Sequence, residues 1–264
     1  MTKIEYFNHR NAAIGYRDVG EGPALVLIHG TGGDGEANWS GVAESLSGRR
    51  ILRPDYAGSG LTKDPATHLT LDHIADQVLA AVNHAGVATF DLAGFSLGAA
   101  VAIRIAARHP DRVTSLVSLG GFANGGDPRS LMMFDHWIDL ARRDPGALAR
   151  LMLLSGFSPE YVAGMGDLDV VVSAMIDTMN WTGVALQAEL DKSVDITADL
   201  NAVTARTLVL GNRRDQMVAP SASITLAEGI AGARLDWIDG PHLSPMEMPE
   251  TVARILAKFF SDIS

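Results

Sequence analysis

The chain of 264 residues has no cysteine, which excludes disulfides, thiol catalysis and cysteine-ligated metal sites. It also has no apolar run near the roughly 18 residues that a membrane-spanning helix needs. The N-terminal residues lack the charged, apolar and small-residue regions of a signal peptide. We therefore expect a cytoplasmic protein with no membrane partner.

Positive charge is scarce as well. The 21 lysines and arginines are outnumbered by 31 acidic residues, which gives a formal net charge of −10. Nucleic-acid-binding proteins usually carry a basic stripe, so we expect no nucleic-acid partner. The hydrophobic fraction of 47% and charged fraction of 20% are typical of a globular protein with a large core. This length suits one α/β unit, or a core with a subdomain.

Apolar runs without alternation recur along the chain and predict strands buried on both faces, as in parallel sheets. They are residues 24–28, 50–53, 90–93, 113–119, 206–210 and 234–238. Helical patterns fall between them, at residues 36–46, 71–85, 97–108, 221–230 and 249–260. With two short N-terminal strands at 4–8 and 12–18, the pattern predicts an α/β fold with a mostly parallel eight-stranded sheet and flanking helices.

One segment interrupts this alternation. Residues 122–199 contain helical patterns punctuated by glycine and proline, and no independent strand. We therefore predict a core domain of residues 1–121 and 200–264, with residues 122–199 as a helical insertion.

The stretch from Gly94 to Gly98 contains a serine between two glycines, after a predicted strand and before a predicted helix. This matches the G-x-S-x-G nucleophile elbow. The serine must occupy a strained turn so that its hydroxyl stands clear of the strand, and glycines on either side leave room for that turn. The pattern predicts Ser96 as a nucleophile.

A serine hydroxyl needs a base to become nucleophilic. His242 follows the last predicted strand and Asp215 follows the strand before it, so both are expected at the carboxyl edge of the sheet. The order Ser96, Asp215, His242 is the order expected for a genuine elbow. Asp239 is the alternative acid, although residues so close on a strand end usually point apart.

An acyl-transfer site also needs two N–H groups that face the developing oxyanion. The amide of Leu97, directly after the nucleophile, is one candidate. The loop after the buried strand at 24–28 is expected to supply the other, from Thr31 or Gly32. His29 in this loop is interpreted as a structural brace.

The same loop fits a second pattern, G-x-G-x-x-G from Gly30 to Gly35, with Asp55 near the distance of a ribose-binding acid. This alternative predicts a dinucleotide-dependent oxidoreductase. Three observations argue against it: the strand is not the first of the sheet, Asp55 sits in a turn, and the elbow is left unexplained.

Together these motifs resemble the α/β-hydrolase superfamily over essentially the whole chain. Among its members the chain is similar to compact capped esterases, lactonases and cofactor-free haloperoxidase-type hydrolases. The loop at Gly30 also resembles that of meta-cleavage-product C–C hydrolases, but Gly33 replaces their proline and the elbow lacks their asparagine. The resemblance implies that residues 122–199 form a cap over the active site, with no metal or organic cofactor.

The predicted cap is rich in methionine and aromatic residues, and we select Trp137, Met179 and Trp181 as candidate substrate-binding residues. No basic cluster marks a carboxylate or phosphate handle. We expect a small, largely apolar ester, lactone or thioester substrate. C–C bond hydrolysis, acyl transfer or acyl elimination by the same triad is the alternative, and a non-catalytic binding module is a third. The oligomeric state stays open, a homo-oligomer included.

Overall fold

A computed structural model describes residues 2–262. Eight strands form one sheet in the order β1-β2-β4-β3-β5-β6-β7-β8. The first two strands pair antiparallel, and β2 pairs antiparallel with β4, whereas all other pairs are parallel. The predicted α/β fold is confirmed. The strands are β1 Lys3–His9, β2 Ala12–Val19, β3 Ala24–Ile28, β4 Arg50–Pro54, β5 Phe90–Phe95, β6 Val113–Leu119, β7 Arg206–Asn212 and β8 Arg234–Ile238.

Helices cover both faces of the sheet, as the unalternating strands require. One face packs against α1 and α12, the other against α2, α3 and α10. In chain order the helices are α1 Gly35–Glu44, α2 Leu71–His84, α3 Leu97–Arg108, α4 Pro128–Arg143, α5 Pro145–Gly156, α6 Pro159–Ala163, α7 Leu168–Thr178, α8 Trp181–Ser193, α9 Thr197–Leu200, α10 Pro220–Gly229, α11 Ser244–Glu247 and α12 Pro249–Ser261.

Helices α4 to α8, hereafter the insertion, lie between β6 and β7. Within the insertion α4 packs on α5 and α8, and α5 packs on α6 and α7. The short α9 instead contacts α3 and α10 of the sheet-flanking layer. The ends of the predicted core domain, residue 1 and residues 263–264, lie outside the described residues.

Local sequence explains where the insertion helices begin. The first three start with a proline directly after a capping side chain, Asp127, Asp144 or Ser158, which accepts a backbone N–H of the first turn. Such a cap satisfies a free amide of the helix end, and proline at the next position loses no hydrogen bond. These caps determine where three consecutive helices begin.

The last strand departs from the prediction. Residues 234–238 were expected to be buried on both faces, but Arg234, Leu235 and Asp236 are exposed. The strand β8 lies at the edge of the sheet and, among residues 2–262, pairs only with β7, which leaves it more exposed than the central strands. Across residues 2–262, none of the helices combines the length and apolarity needed to cross a membrane.

Candidate active site

Ser96 lies at the sharp turn between β5 and α3, with φ 55° and ψ −122°. A non-glycine residue in such a region carries about 1–3 kcal/mol of strain. The flanking glycines make the turn possible: a Cβ added at Gly94 would lie 2.1 Å from the Gly98 carbonyl oxygen, and one at Gly98 would lie 2.3 Å from the His29 carbonyl oxygen. The turn therefore has the geometry that the sequence pattern predicted.

His242 lies in the loop after β8 and faces Ser96. Its Nε2 is 3.1 Å from the Ser96 Oγ, and its Nδ1 is 2.7 Å from Asp215 Oδ2. The His242 and Asp215 side chains are only 4% and 2% exposed. With Nδ1 protonated toward the carboxylate, Nε2 is free to accept the serine proton. The structure thus brings the three predicted side chains into one hydrogen-bonded chain.

The second oxygen of Asp215 is also held. Asp215 Oδ1 accepts the backbone N–H groups of Met217 and Val218, at 2.9 and 2.8 Å. These two bonds fix the carboxylate and compensate its burial. The alternative acid, Asp239, is placed differently: its side chain is 77% exposed and pairs with Arg214. Asp215, and not Asp239, contacts His242.

The backbone amides of Thr31 and Leu97, the predicted oxyanion donors, have no acceptor among residues 2–262. The orientation of the Thr31 amide follows from its own peptide group. The Gly30 carbonyl accepts from Gly33 N at 3.2 Å and from His29 Nδ1 at 2.9 Å. Because the peptide is planar and trans, the Thr31 N–H points the opposite way.

The Gly32 amide was an alternative oxyanion donor, and the structure contradicts this prediction. It donates to Gln187 Oε1 at 2.8 Å, so it is already engaged by the insertion. Of the two candidates in this loop, only Thr31 has a free N–H among the described residues.

His29 has the bracing position that was expected of it. The imidazole is fully buried and stacks on Tyr56 with ring centroids 3.9 Å apart, while the Tyr56 hydroxyl donates to the His29 carbonyl at 3.1 Å. Burial lowers the pKa of His29, which keeps the ring neutral. The ring therefore fixes the loop that contains Thr31.

A cavity of about 50 Å³ opens beside Ser96 and His242. Ligand pockets usually measure roughly 300–1,000 Å³, so this one holds only a small group. Trp137 lines it as predicted, but Met179 and Trp181 are not among its lining residues. The Trp181 indole N–H instead donates to the Ile176 carbonyl. The remaining lining residues are Thr31, Asn38, Phe95, Met133, Phe134, Met152, Met217, Val218 and Leu243.

Several lining residues were not singled out from the sequence. Met133 and Trp137 are four residues apart, so they share one face of α4. That spacing was available in the sequence, whereas the direction in which this face points was not. A larger groove of about 650 Å³ lies elsewhere, between the β1–β2 turn and the start of α8, and it does not include Ser96.

The dinucleotide alternative is wrong. Asp55 is buried and already bonded, since Oδ1 accepts from Gly35 N and Oδ2 accepts from Arg17 and Leu61 N. The first amides of α1 are capped by the Asp34 carboxylate, so a phosphate would meet an anion there. Among residues 2–262, no cluster of three or more His, Asp or Glu side chains could hold a metal ion.

Comparison with known proteins adds to this geometry. Residues 23–249 match the family model described as alpha/beta hydrolase fold. The chain is 41% identical to pyrrolizixenacetamide deacetylase of Xenorhabdus hominickii, over 94% of this chain and 95% of that protein. It is 27% identical to 2-hydroxymuconate semialdehyde hydrolase of Pseudomonas putida, over 95% and 92%. The crystal structure of the enol-lactonase from Burkholderia xenovorans LB400 is similar with a TM-score of 0.88 and 25% identity, covering 98% and 100%.

Proposed function

Since the chain belongs to the α/β-hydrolase family and is a hydrolase-class enzyme, we propose that it is a serine hydrolase that removes a short acyl group from a small, largely apolar ester, lactone or thioester. The observation that carries this proposal is the bonded chain Ser96–His242–Asp215 beside a small apolar cavity.

The first half-reaction forms an acyl-enzyme. Ser96 Oγ attacks the substrate carbonyl while His242 Nε2 takes the hydroxyl proton. Asp215 holds the imidazole and stabilises its positive charge. The negative charge on the carbonyl oxygen is stabilised by the amides of Thr31 and Leu97. His242 then donates the proton to the leaving group, which departs.

The second half-reaction uses water in place of the alcohol. His242 takes a proton from the water, which attacks the acyl carbonyl, and Ser96 leaves with the proton returned by His242. The products are the free acid and the unmodified enzyme.

The size of the cavity supports a short acyl group. Methionine, tryptophan and phenylalanine side chains surround it, and the Met152 methyl packs over the Thr31–Gly32 loop. A volume of about 50 Å³ exceeds by a few-fold the roughly 10–15 Å³ that one water requires. An acetyl group matches this space better than a long chain does.

Amide deacetylation is a second candidate. The 41% identical relative is named a deacetylase of an acetamide, and the same triad cleaves amides when the leaving nitrogen is protonated by the histidine. C–C bond hydrolysis, acyl transfer and acyl elimination use the same residues and differ in substrate and water access.

A substrate panel tests the proposal. Activated esters from acetyl to long-chain acyl groups and matched N-acetyl amides would be assayed in ¹⁸O-water, with Ser96→Ala as control. We expect acetyl substrates to be the fastest and ¹⁸O to enter the acid product. Failure of Ser96 to react with a fluorophosphonate would contradict the proposal and favour a binding module. Activity on C–C substrates alone, or label-free products, would favour the alternatives.

A further inference from the structure

Helix α8 of the insertion carries two buried polar residues four positions apart. Gln187 and Asp191 are 0% and 1% exposed. Residues at this spacing lie on the same helix face, and unpaired carboxylates are rarely found fully buried. Both side chains point to the loop that contains Thr31.

Gln187 joins the insertion to two loops of the core. Its Oε1 accepts the Gly32 N–H at 2.8 Å, and its Nε2 donates to the Ala57 carbonyl at 3.0 Å and to Ser59 Oγ at 2.7 Å. A buried primary amide has two donors and one carbonyl acceptor, and here all of them are used. The residue therefore holds Gly32 against the loop that follows β4.

Asp191 contacts Thr31, the residue before Gly32 in the same loop. Its Oδ2 accepts the Thr31 hydroxyl at 2.6 Å, while Oδ1 is buried without a partner among residues 2–262. Burial raises the pKa of Asp191 to about 8, so the carboxyl group is neutral near pH 7. Tyr56, on the loop after β4, is the titratable side chain that faces it, and its own pKa is raised by burial and by Asp191.

The backbone of α8 packs directly against the backbone of the loop after β4. A Cβ added at Gly183 would lie 2.0 Å from the Gly58 carbonyl oxygen, so the first turn of α8 touches the loop after β4 directly. Gly32 itself has φ 73°, a conformation that glycine adopts but does not enforce. Hydrogen bonds from other elements, such as the one from the Gly32 N–H to Gln187, therefore help to fix the loop at Gly32.

We propose that Gln187 and Asp191 are positioning residues that hold the Thr31 amide toward the carbonyl oxygen of the bound substrate. The inference rests on the proposed function and extends it, since the geometry of the oxyanion site would depend on the packing of α8 against the Thr31–Gly32 loop. Neither side chain touches the reacting atoms. Their effect is on the transition state, because the Thr31 donor matters most when the oxygen becomes negative.

Asp191 gives this arrangement a pH dependence. Above about pH 8, its ionised carboxylate places a negative charge against the hydroxyl of Thr31, the residue whose amide is the proposed donor. That charge opposes the developing oxyanion. We expect the rate of the wild-type enzyme to decline above this pH, whereas Asp191→Asn keeps its rate there.

The test uses Gln187→Met, Asp191→Asn and, as control, Glu189→Gln, whose side chain lies on the exposed side of the same helix. For Gln187→Met we expect kcat to fall by about tenfold or more with KM nearly unchanged, since loss of an oxyanion donor costs roughly 100–1,000-fold. Amide exchange of the peptide covering residues 29–35, measured by mass spectrometry, should be faster in Gln187→Met. Glu189→Gln should match the wild type in both.

The outcomes separate the two proposals. Wild-type kcat and unchanged exchange in Gln187→Met would overturn the positioning role, as would identical high-pH profiles for wild type and Asp191→Asn. If the wild type neither hydrolyses esters nor reacts with a fluorophosphonate, the proposed function fails. The exchange measurement then still decides whether Gln187 holds the loop.

Discussion

At the scale of single residues, the site consists of a few side chains placed by backbone constraints. Ser96 occupies a strained turn, and Asp215 is held by two backbone amides of its own loop. Both loops follow parallel strands, β5 and β7, and lie at the carboxyl edge of the sheet with β6 between them, where such sheets place their functional groups. The proposed chemistry thus depends on short-range geometry that a single substitution can break.

Asp215→Asn tests the assignment of the acid. The amide cannot stabilise the protonated imidazole and favours the wrong tautomer, so kcat should fall by about 10⁴-fold. Asp239→Asn is the matched control and should retain full activity, because that carboxylate faces solvent and Arg214. Equal losses in both variants, measured by steady-state ester hydrolysis, would contradict the assignment.

Gly94→Ala tests the sterics of the turn. The added methyl group would lie 2.1 Å from the Gly98 carbonyl oxygen, so the backbone must shift at a cost of about 1–3 kcal/mol or more in unfolding free energy. Gly164→Ala is the control, because it ends α6 with φ −82° and its Cβ would meet no atom nearer than 3.4 Å. Denaturant unfolding of both variants measures the difference, and equal stability would refute the steric account.

The sequence predicts site residues where the chemistry requires a fixed residue type at a fixed place after a strand. The Ser96–Asp215–His242 order and the bracing histidine could be predicted because each residue lies in the loop or turn after a recognisable strand. Gln187 and Asp191 were not predicted, because α8 carries other polar residues as well and their four-residue spacing alone does not mark them as buried. Their partners lie more than a hundred residues away in the chain, and only the fold brings them together.

At the scale of elements, α4 contributes three of the side chains that line the cavity, Met133, Phe134 and Trp137. Trp137 lies on the face of α4 that meets Ser96, whereas Trp181 begins α8 and lies outside the cavity lining. The sequence identified both as apolar candidates but could not distinguish them, because it does not show how an inserted helix is rotated over the sheet. The same limitation explains β8, whose apolar run does not reveal that it is the edge strand.

Trp137→Ala tests whether α4 sets the acyl size. Removing the indole enlarges a cavity of about 50 Å³, so the preference should move from acetyl toward longer acyl esters, at a stability cost of about 3–5 kcal/mol. Trp181→Ala is the control and should keep the acetyl preference. Ratios of kcat/KM across the ester panel report the change, and an unaltered ratio in Trp137→Ala would contradict the proposed acyl site.

At the scale of the whole molecule, burial of Asp191 links folding to pH. Its folded-state pKa of about 8 lies above the ordinary aspartate value of 3.8, so between these values the folded state binds more protons than the unfolded state. The contribution of Asp191 to the free energy of unfolding is therefore fully present at low pH and is lost as pH rises through this window. The slope reaches about 1.4 kcal/mol per pH unit at most.

Unfolding free energies of wild type and Asp191→Asn between pH 5 and about pH 9 check this linkage. The difference between them should change steadily in favour of the variant up to about pH 8, and then level off. A difference that is independent of pH would show that the carboxyl group is not neutral in the folded protein.

The central claim is that Ser96 carries the acyl group during turnover, and rapid quenching followed by intact-protein mass spectrometry tests it most directly. During reaction with an activated acetyl ester, the wild type should gain the mass of one acetyl group, located on the peptide that contains Ser96. Ser96→Ala should show neither the adduct nor turnover. An acetylated or fully active Ser96→Ala protein would contradict the account.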